Sequence, residues 1–347
     1  MTFAASQESA TPGRIACFGE MLLRLAAPRG EVLRAAGALD VFVGGAEANV
    51  AVALAHLGHA SAMITVLADN PLGALCGAEL RRHGVDCAAV RTGAGRMGLY
   101  FLERGAGQRP ARVVYDREHS AFCRAMGAPL PWETLLAGSA WLHVSGITAA
   151  LGDAGAHSLL AAVRAAQARQ MSISFDCNYR PSLWQERAMH AGAVLRAVAA
   201  HATVLFASEH DLALILQRAA PEASVPESFA AAGRQALERF GTLRLIATTF
   251  RQESGADEQT FSAACLTRDG LSRSRTYALR GIVERIGSGD AFAAGVLHGL
   301  LGGADPARAV ELGAACACLK HTVATDFSVA TGEELEALLR GQTALVR

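Results

Sequence analysis

Near the end of the chain, Gly287-Ser288-Gly289-Asp290 sets two glycines, a hydroxyl and a carboxylate directly ahead of the apolar run Ala-Phe-Ala-Ala-Gly-Val-Leu-His-Gly-Leu-Leu. Phe292, Val296 and Leu300 recur at helical spacing, so the run predicts a helix that opens at the glycines. Glycines at a helix start let backbone N–H groups approach an anion, and the helix dipole adds favourable potential there. The segment suits a cradle for phosphate oxygens. The alternative is that Ser288 or Asp290 simply caps the helix, as Ser and Asp commonly do.

Which side chains could assist such a cradle is narrowed by one compositional fact: Lys320 is the only lysine, and every other basic side chain is arginine. A phosphate loop ending in Gly-Lys-Ser/Thr is therefore absent, as is the strand lysine of protein kinases. Phosphate work falls to backbone amides and arginines.

Two further segments carry polar groups where a ligand could meet them. Gly44-Gly45-Ala46-Glu47-Ala48-Asn49 opens a predicted helix closed by Gly58, with Glu47 and Asn49 in its first turn. Glu47 there could equally just favour the helix dipole. Asp176-Cys177-Asn178-Tyr179-Arg180-Pro181 follows a predicted parallel strand, at the edge where open α/β sheets bind ligands, and an unpaired arginine there would grip a carboxylate or phosphate. Gly93-Ala-Gly95-Arg-Met-Gly98 matches the dinucleotide fingerprint Gly-x-Gly-x-x-Gly, but a strand-like Leu-Tyr-Phe-Leu-Glu follows it where a helix is needed, so it is set aside.

The elements that must position these groups alternate. Apolar β-rich runs at Arg14–Phe18, Ala60–Leu67, Trp141–Val144, Ser172–Asp176 and Thr203–Phe206 are each followed by a helical pattern, which predicts a mostly parallel sheet, doubly wound, with helices on both faces. About 20–43 and 98–118 break this rhythm as strands without helices and predict a small β lid, with Leu99–Glu103 and Arg112–Tyr115 as a hairpin. Toward the end, Leu243–Thr249, Phe261–Leu266 and Arg273–Leu279 read as strands, followed by helices near Asp290–Leu301 and Pro306–Thr322. One α/β domain over 13–340 is expected, behind a disordered tail at 1–12.

Composition narrows the partners. Of 347 residues, 51% are apolar and 18% charged, below the roughly 25% charged of an average soluble domain, so a large core is available. Lys plus Arg and Asp plus Glu are both 32, which leaves no basic stripe for nucleic acid. No apolar run reaches the roughly 18 residues of a membrane span, so a cytoplasmic protein without a membrane partner is expected. The 8 cysteines are scattered in apolar runs without metal-ligand spacing, which reads as small buried hydrophobes.

Taken together, the glycine pair with its following asparagine (Gly44, Gly45, Asn49) and Gly287 to Asp290 opening an apolar helix resemble the two signatures of the ribokinase-like (PfkB) family of carbohydrate kinases. The resemblance runs from about Arg14 to Leu339. Within the family the chain is most similar to 2-dehydro-3-deoxygluconate kinases, through VGGAEANVAVALAHLG at 43–58, GLY at 98–100, LHVSGIT at 142–148, Asn178-Tyr179-Arg180, GSGDAFAAG at 287–295, LKHT at 319–322 and Asp326-Phe327.

That resemblance implies a ribokinase-like α/β fold and roles for particular residues. Gly45, Ala46, Glu47, Asn49, Tyr100, Tyr115, Arg117, Arg180 and Asp326 would bind the sugar. The 287–289 backbone would form the anion hole, and Asp290 would be the base that takes the C6 hydroxyl proton. Asn178, Ser208, Thr248, Arg251 and Ala314, with the glycines, would meet ATP, and Asp211 would order Mg²⁺ through water. A monovalent cation is left open.

Two departures stand out: Ser208-Glu209-His210-Asp211 replaces the family's Asn-x-x-Glu, and Thr248-Thr249-Phe250-Arg251 lacks its Gly-x-x-Gly. Asp290, at a helix N-terminus, is expected to stay ionised and to be a weak base. Two arginines, 117 and 180, suit an acidic sugar better than a neutral one. Another ketose or sugar acid (2-dehydro-3-deoxygalactonate, fructose, ribose) and an idle sugar-binding regulator remain alternatives, and self-association through the lid is expected.

Overall fold

Central strands of the main sheet send alternate side chains into two apolar cores, and that alternation explains the layered architecture. The computed structural model describes residues 13–219 and 225–342; the tail expected at 1–12 lies outside them. Its strands are β1 (Arg14–Phe18), β2 (Leu22–Ala26), β3 (Asp40–Gly44), β4 (Ser61–Ala68), β5 (Val90–Gly93), β6 (Gly98–Glu103) and β7 (Arg112–Asp116). They continue as β8 (Ser139–Ser145), β9 (Ser172–Asp176), β10 (Val204–Phe206), β11 (Leu245–Glu253), β12 (Glu258–Thr267), β13 (Gly270–Arg273) and β14 (Tyr277–Arg280).

The 10-stranded sheet runs β13-β12-β11-β10-β9-β8-β1-β4-β5, with β14 also on β12. From β5 to β11 neighbours pair in parallel, and β12 to β14 are antiparallel. Successive side chains point to opposite faces. Thus Ala16, Phe18, Leu142, Val144, Leu205 and Ile246 join one core, while Ile15, Cys17, Trp141, Val204, Phe206 and Leu245 join the other. The first is covered by helices that include Asp153–Ala168 and Ala188–Ala199, the second by Ala46–His56, Ser288–Leu301 and Pro306–Lys320. All 8 cysteines are free, and most are buried, as their apolar surroundings suggest.

The segment expected as one strand at Arg273–Leu279 is two, β13 and β14, which pair with opposite ends of β12. Ser274 lies in the break, its N–H on the Ala263 carbonyl and its hydroxyl accepting from the Ala263 N–H. The helices Pro226–Arg239 and Gly332–Leu339 were not among the expected elements.

Strands β3-β2-β6-β7 form the second sheet, the lid. Pairing in register places Leu22, Tyr100 and Tyr115 on its inner face, over the C-terminal ends of the main-sheet strands. The other face carries a row with one apolar residue per strand, Val41, Leu25, Phe101 and Val114. No helix among the described residues is long and apolar enough to cross a membrane.

Candidate active site

Between the lid and the C-terminal ends of β9, β10 and β11 lies a cleft of about 590 Å³. Parallel sheets bind at this edge because the strands end there and loops lead into helix N-termini. The cleft gathers segments far apart in sequence: Gly45 to Asn49, the lid tyrosines, Asp176 to Arg180, Ser208 to Asp211, Thr248 to Arg251 and Arg285 to Asp290.

The helix Ser288–Leu301 starts at Gly287, which takes φ +82 and supplies no side-chain cap. A Cβ on Gly287 would stand 2.0 Å from the Asp326 carbonyl oxygen, so only glycine fits both the backbone conformation and the contact. The capping role open to Ser288 and Asp290 is thus not the one they take. Asp290 instead accepts a 2.6 Å hydrogen bond from Asn49 Nδ2, joining the two glycine-led helices at the cleft floor. Burial pushes the Asp290 carboxyl up to about 6, against the opposing pull of the Asn49 hydrogen bond and the Arg180 charge. The weak base expected from the helix dipole alone is therefore a better one, still mostly ionised at pH 7 and close to the value that favours proton acceptance.

Asn49 Oδ1 is buried without a hydrogen-bond partner and lies in the same cleft. A buried acceptor left open costs stability unless a ligand donor fills it, and a sugar hydroxyl is such a donor. Gly45, at φ +147, would with a Cβ meet the Glu20 carbonyl oxygen at 2.4 Å, so the chain must be glycine where it turns beneath the lid.

Buried ion pairs organise the lid side. Arg117 places Nε and Nη2 on Glu20 Oε2, each at 2.8 Å, and Ser120 donates to the other Glu20 oxygen. Asp326 accepts from the Tyr100 hydroxyl and sits 3.1 Å from Arg24 Nε, an ion-pair distance without hydrogen-bond alignment. Arg24, fully buried, also meets Glu284 at 2.6 Å. Arg117 is therefore not the free cation that the acidic-sugar argument used. Arg180 is exposed, lines the cleft and makes no ion pair with a described residue.

At the far end stand Thr248, Arg251 and Arg285, with Arg285 paired to Glu253 and Arg251 close to the face of Phe261. Asn178 takes the left-handed φ +40 at the strand end, its N–H on Asp176. Ser208 and Asp211 form a capping box: Asp211 Oδ2 accepts from the Ser208 N–H at 2.8 Å and hydroxyl at 2.7 Å. One Asp211 oxygen is thereby committed to the helix start.

Among the described residues no three His, Cys, Asp or Glu side chains group as metal ligands. Asp176 and Asp211 nevertheless both open on the cleft. That donor set fits a Mg²⁺ ion carried by nucleotide phosphates and held through water, the usual habit of this ion.

The expected residues Gly45, Ala46, Asn49, Tyr100, Tyr115, Arg117, Asn178, Arg180, Ser208, Asp211, Thr248, Arg251, Gly287, Ser288, Gly289, Asp290 and Asp326 all line the cleft. Two do not. Glu47 lies below the floor, its Oε1 accepting from Thr148 at 3.3 Å, and burial pushes its carboxyl up to about 8. Ala314 is fully enclosed in the core between helices. Glu20, Arg24 and Glu284 were not anticipated; each is a buried charge, and only its position within an apolar stretch could have marked it, while Lys320, conspicuous as the one lysine, was given no place in the site.

Known proteins align with this chain nearly end to end. A family model described as pfkB family carbohydrate kinase matches residues 13–326. A 2-dehydro-3-deoxygalactonokinase of Haloferax volcanii is 32% identical over 94% of this chain and 96% of its own length. A 2-dehydro-3-deoxygluconokinase of Bacillus subtilis is 26% identical over 94% of this chain and 95% of its own. The crystal structure of a 2-dehydro-3-deoxygluconokinase from Thermotoga maritima, 36% identical, superposes with a TM-score of 0.88 over 95% of this chain and 100% of that one.

Proposed function

The chain belongs to the pfkB family of carbohydrate kinases and has its ribokinase-like fold, and we propose that it phosphorylates 2-dehydro-3-deoxy-D-gluconate at the C6 hydroxyl, with ATP as donor. The observation that carries this reading is the Asp290–Asn49 junction, where a half-buried carboxylate beside the glycine backbone meets an asparagine whose oxygen awaits a donor. Asp290 takes the proton of the C6 hydroxyl, the oxygen attacks the γ-phosphorus, and the bond from that phosphorus to the ADP oxygen breaks. The N–H groups of 287–289 receive the developing charge, in keeping with phosphoryl transfer by positioning and electrostatics. When bound, Mg²⁺ neutralises phosphate charge; Asp176 and Asp211 are the residues that would hold it through water.

Arg180 supports an acidic sugar, because a cleft-lining cation that makes no ion pair with a described residue gains a charge-assisted pair from a carboxylate. Thr248, Arg251 and Arg285 would then face the nucleotide phosphates. The galacto epimer is the second reading, favoured by the Haloferax volcanii relative, whose name is that of a galactonokinase. ATP turnover measured side by side on 2-dehydro-3-deoxygluconate, its galacto epimer, fructose and ribose decides; faster turnover of either neutral sugar would remove the acidic-sugar reading.

Self-association through the lid also belongs to this reading. Val41 is 53% exposed and Val114 47%, at the two ends of the apolar row on the outer lid face. A second copy of the same row would cover it. Sedimentation of the wild type against Val114→Asp tests the contact: an unchanged mass would refute it.

A further inference from the structure

The one lysine of this chain lies under the segment that a phosphate would meet. Lys320 ends the helix Pro306–Lys320 and is fully buried. Its Nζ donates to the Val323 carbonyl at 3.3 Å, and its Cε lies 3.2 Å from where a Gly287 Cβ would stand. The 320–326 stretch is pinned to the same loop from beside it: the N–H groups of Val283 and Glu284 donate to the His321 carbonyl, and the Asp326 carbonyl presses on Gly287.

A buried ammonium is costly unless anions compensate it. The charged and titratable groups that face it are Glu284, Asp326 and Asp290, with Arg24 opposing and His321 next to it in the chain. Burial pulls the lysine down to about 8, while the carboxylates hold it up. It is mostly protonated at pH 7.

We propose that Lys320 is a fixed internal cation beneath the phosphate cradle, a positioning residue that holds the 320–326 stretch against Gly287 and adds positive potential to the N–H groups of 287–289. This rests on the reading of those N–H groups as the site of phosphoryl transfer. The absence of any other lysine thus does not leave the cradle to neutral backbone alone. One ammonium stands behind it, out of solvent and unable to be screened or to follow the product out.

The substitution Lys320→Met keeps the length of the stem and removes the charge. With the best-used of the four sugars, kcat is expected to fall about 10- to 10²-fold, less than the roughly 10²- to 10³-fold of losing a direct oxyanion donor because this cation acts from behind the N–H groups, and sugar KM to stay within about twofold. Binding of ADP with Mg²⁺, measured by calorimetry, should weaken. In the wild type kcat should decline as pH rises through about 8, where Lys320 loses its proton, and this alkaline limb should vanish in Lys320→Met.

Wild-type kcat in Lys320→Met, an alkaline limb that survives it, or a fall in Tm with unchanged kinetic constants would each overturn the proposal. Should Lys320→Met fail to fold, Lys320→Ala with added ammonium provides the second arm: restoration by ammonium and not by sodium supports the cation, and none in folded protein refutes it. A wild-type enzyme with no alkaline limb refutes it outright. Failure of the Asp290 reading looks different, because it removes the acidic limb near 6 and leaves the alkaline one.

Discussion

At the phosphate end of the cleft the groups offered to a ligand are contiguous backbone amides, 287–289, fixed by a helix start and by one glycine that tolerates no side chain. At the lid end they are side chains, and each is held by a partner from a distant segment: Arg117 by Glu20, Asp326 by Arg24 and Tyr100. The difference teaches how the two ends respond to change. The N–H groups of a backbone cradle stay in place when a neighbouring side chain is altered, so such a change acts on the potential around them and not on the contacts they offer, whereas a chain of buried ion pairs transmits the loss of one member to the next.

The largest effect should therefore come from the one side chain that does chemistry at the backbone end. Asp290→Asn is expected to lower kcat by a factor on the order of 10² to 10⁴, the usual range for a general base, with sugar binding retained. The wild-type pH profile supplies a companion reading. Asp290 must be deprotonated to accept the proton, so kcat/KM should be lost as pH falls through about 6. A flat profile from pH 5 to 7, or near-wild-type turnover of the asparagine variant, would take Asp290 out of the mechanism.

Next in size is Arg180→Ala. Losing a charge-assisted pair costs about 1.5 to 3 kcal/mol, so KM for the acidic sugar should rise about tenfold or more while a matched neutral sugar is nearly unaffected. Equal losses on both would mean that Arg180 does not meet the carboxylate. Glu20→Gln follows, as a probe of the coupled lid end: Arg117 loses its counter-charge, and sugar KM should rise several-fold with ATP KM unchanged. Movement of both constants together would break the contrast between the two ends.

The same contrast governs what could be read in advance. The strand and helix alternation, the lid hairpin and the helix start at Gly287 are local patterns, and the structure places them where the residues indicated. The lid ion pairs are not local: Arg117 is 97 positions from Glu20, and Arg24 is 260 from Glu284. Nothing in the spacing of charges reveals such partners, so Arg117 read as a free cation and Glu20 passed unnoticed. The value of Asp290 was missed for a related reason, because burial outweighs the helix dipole and depends on everything packed around the carboxyl. Lys320 was conspicuous by its rarity, yet its place under Gly287 comes from the fold of the 320–326 stretch.

The smallest effect on catalysis belongs to Glu47, which sits in the first turn of the helix Ala46–His56 but points below the floor. Gly19 packs so close that a Cβ there would stand 2.0 Å from Glu47 Oε2, and Thr148 is the hydroxyl that meets it. Burial raises its carboxyl to about 8, above the roughly 4.3 of an unfolded chain. The folded state then binds the proton more tightly than the unfolded one, so this contribution to stability is full below about pH 4 and is lost as pH rises through about 8. Glu47→Gln, always neutral and still able to accept from Thr148, should unfold at a temperature above wild type at pH 8.5, by on the order of 5 °C, and much closer to it at pH 5. Sugar KM should move by less than about twofold, because the side chain does not line the cleft. If thermal unfolding showed no pH-dependent gap while sugar KM rose tenfold, Glu47 would belong to the sugar site after all, and the floor of the cleft would lie one layer deeper than Asn49 and Asp290.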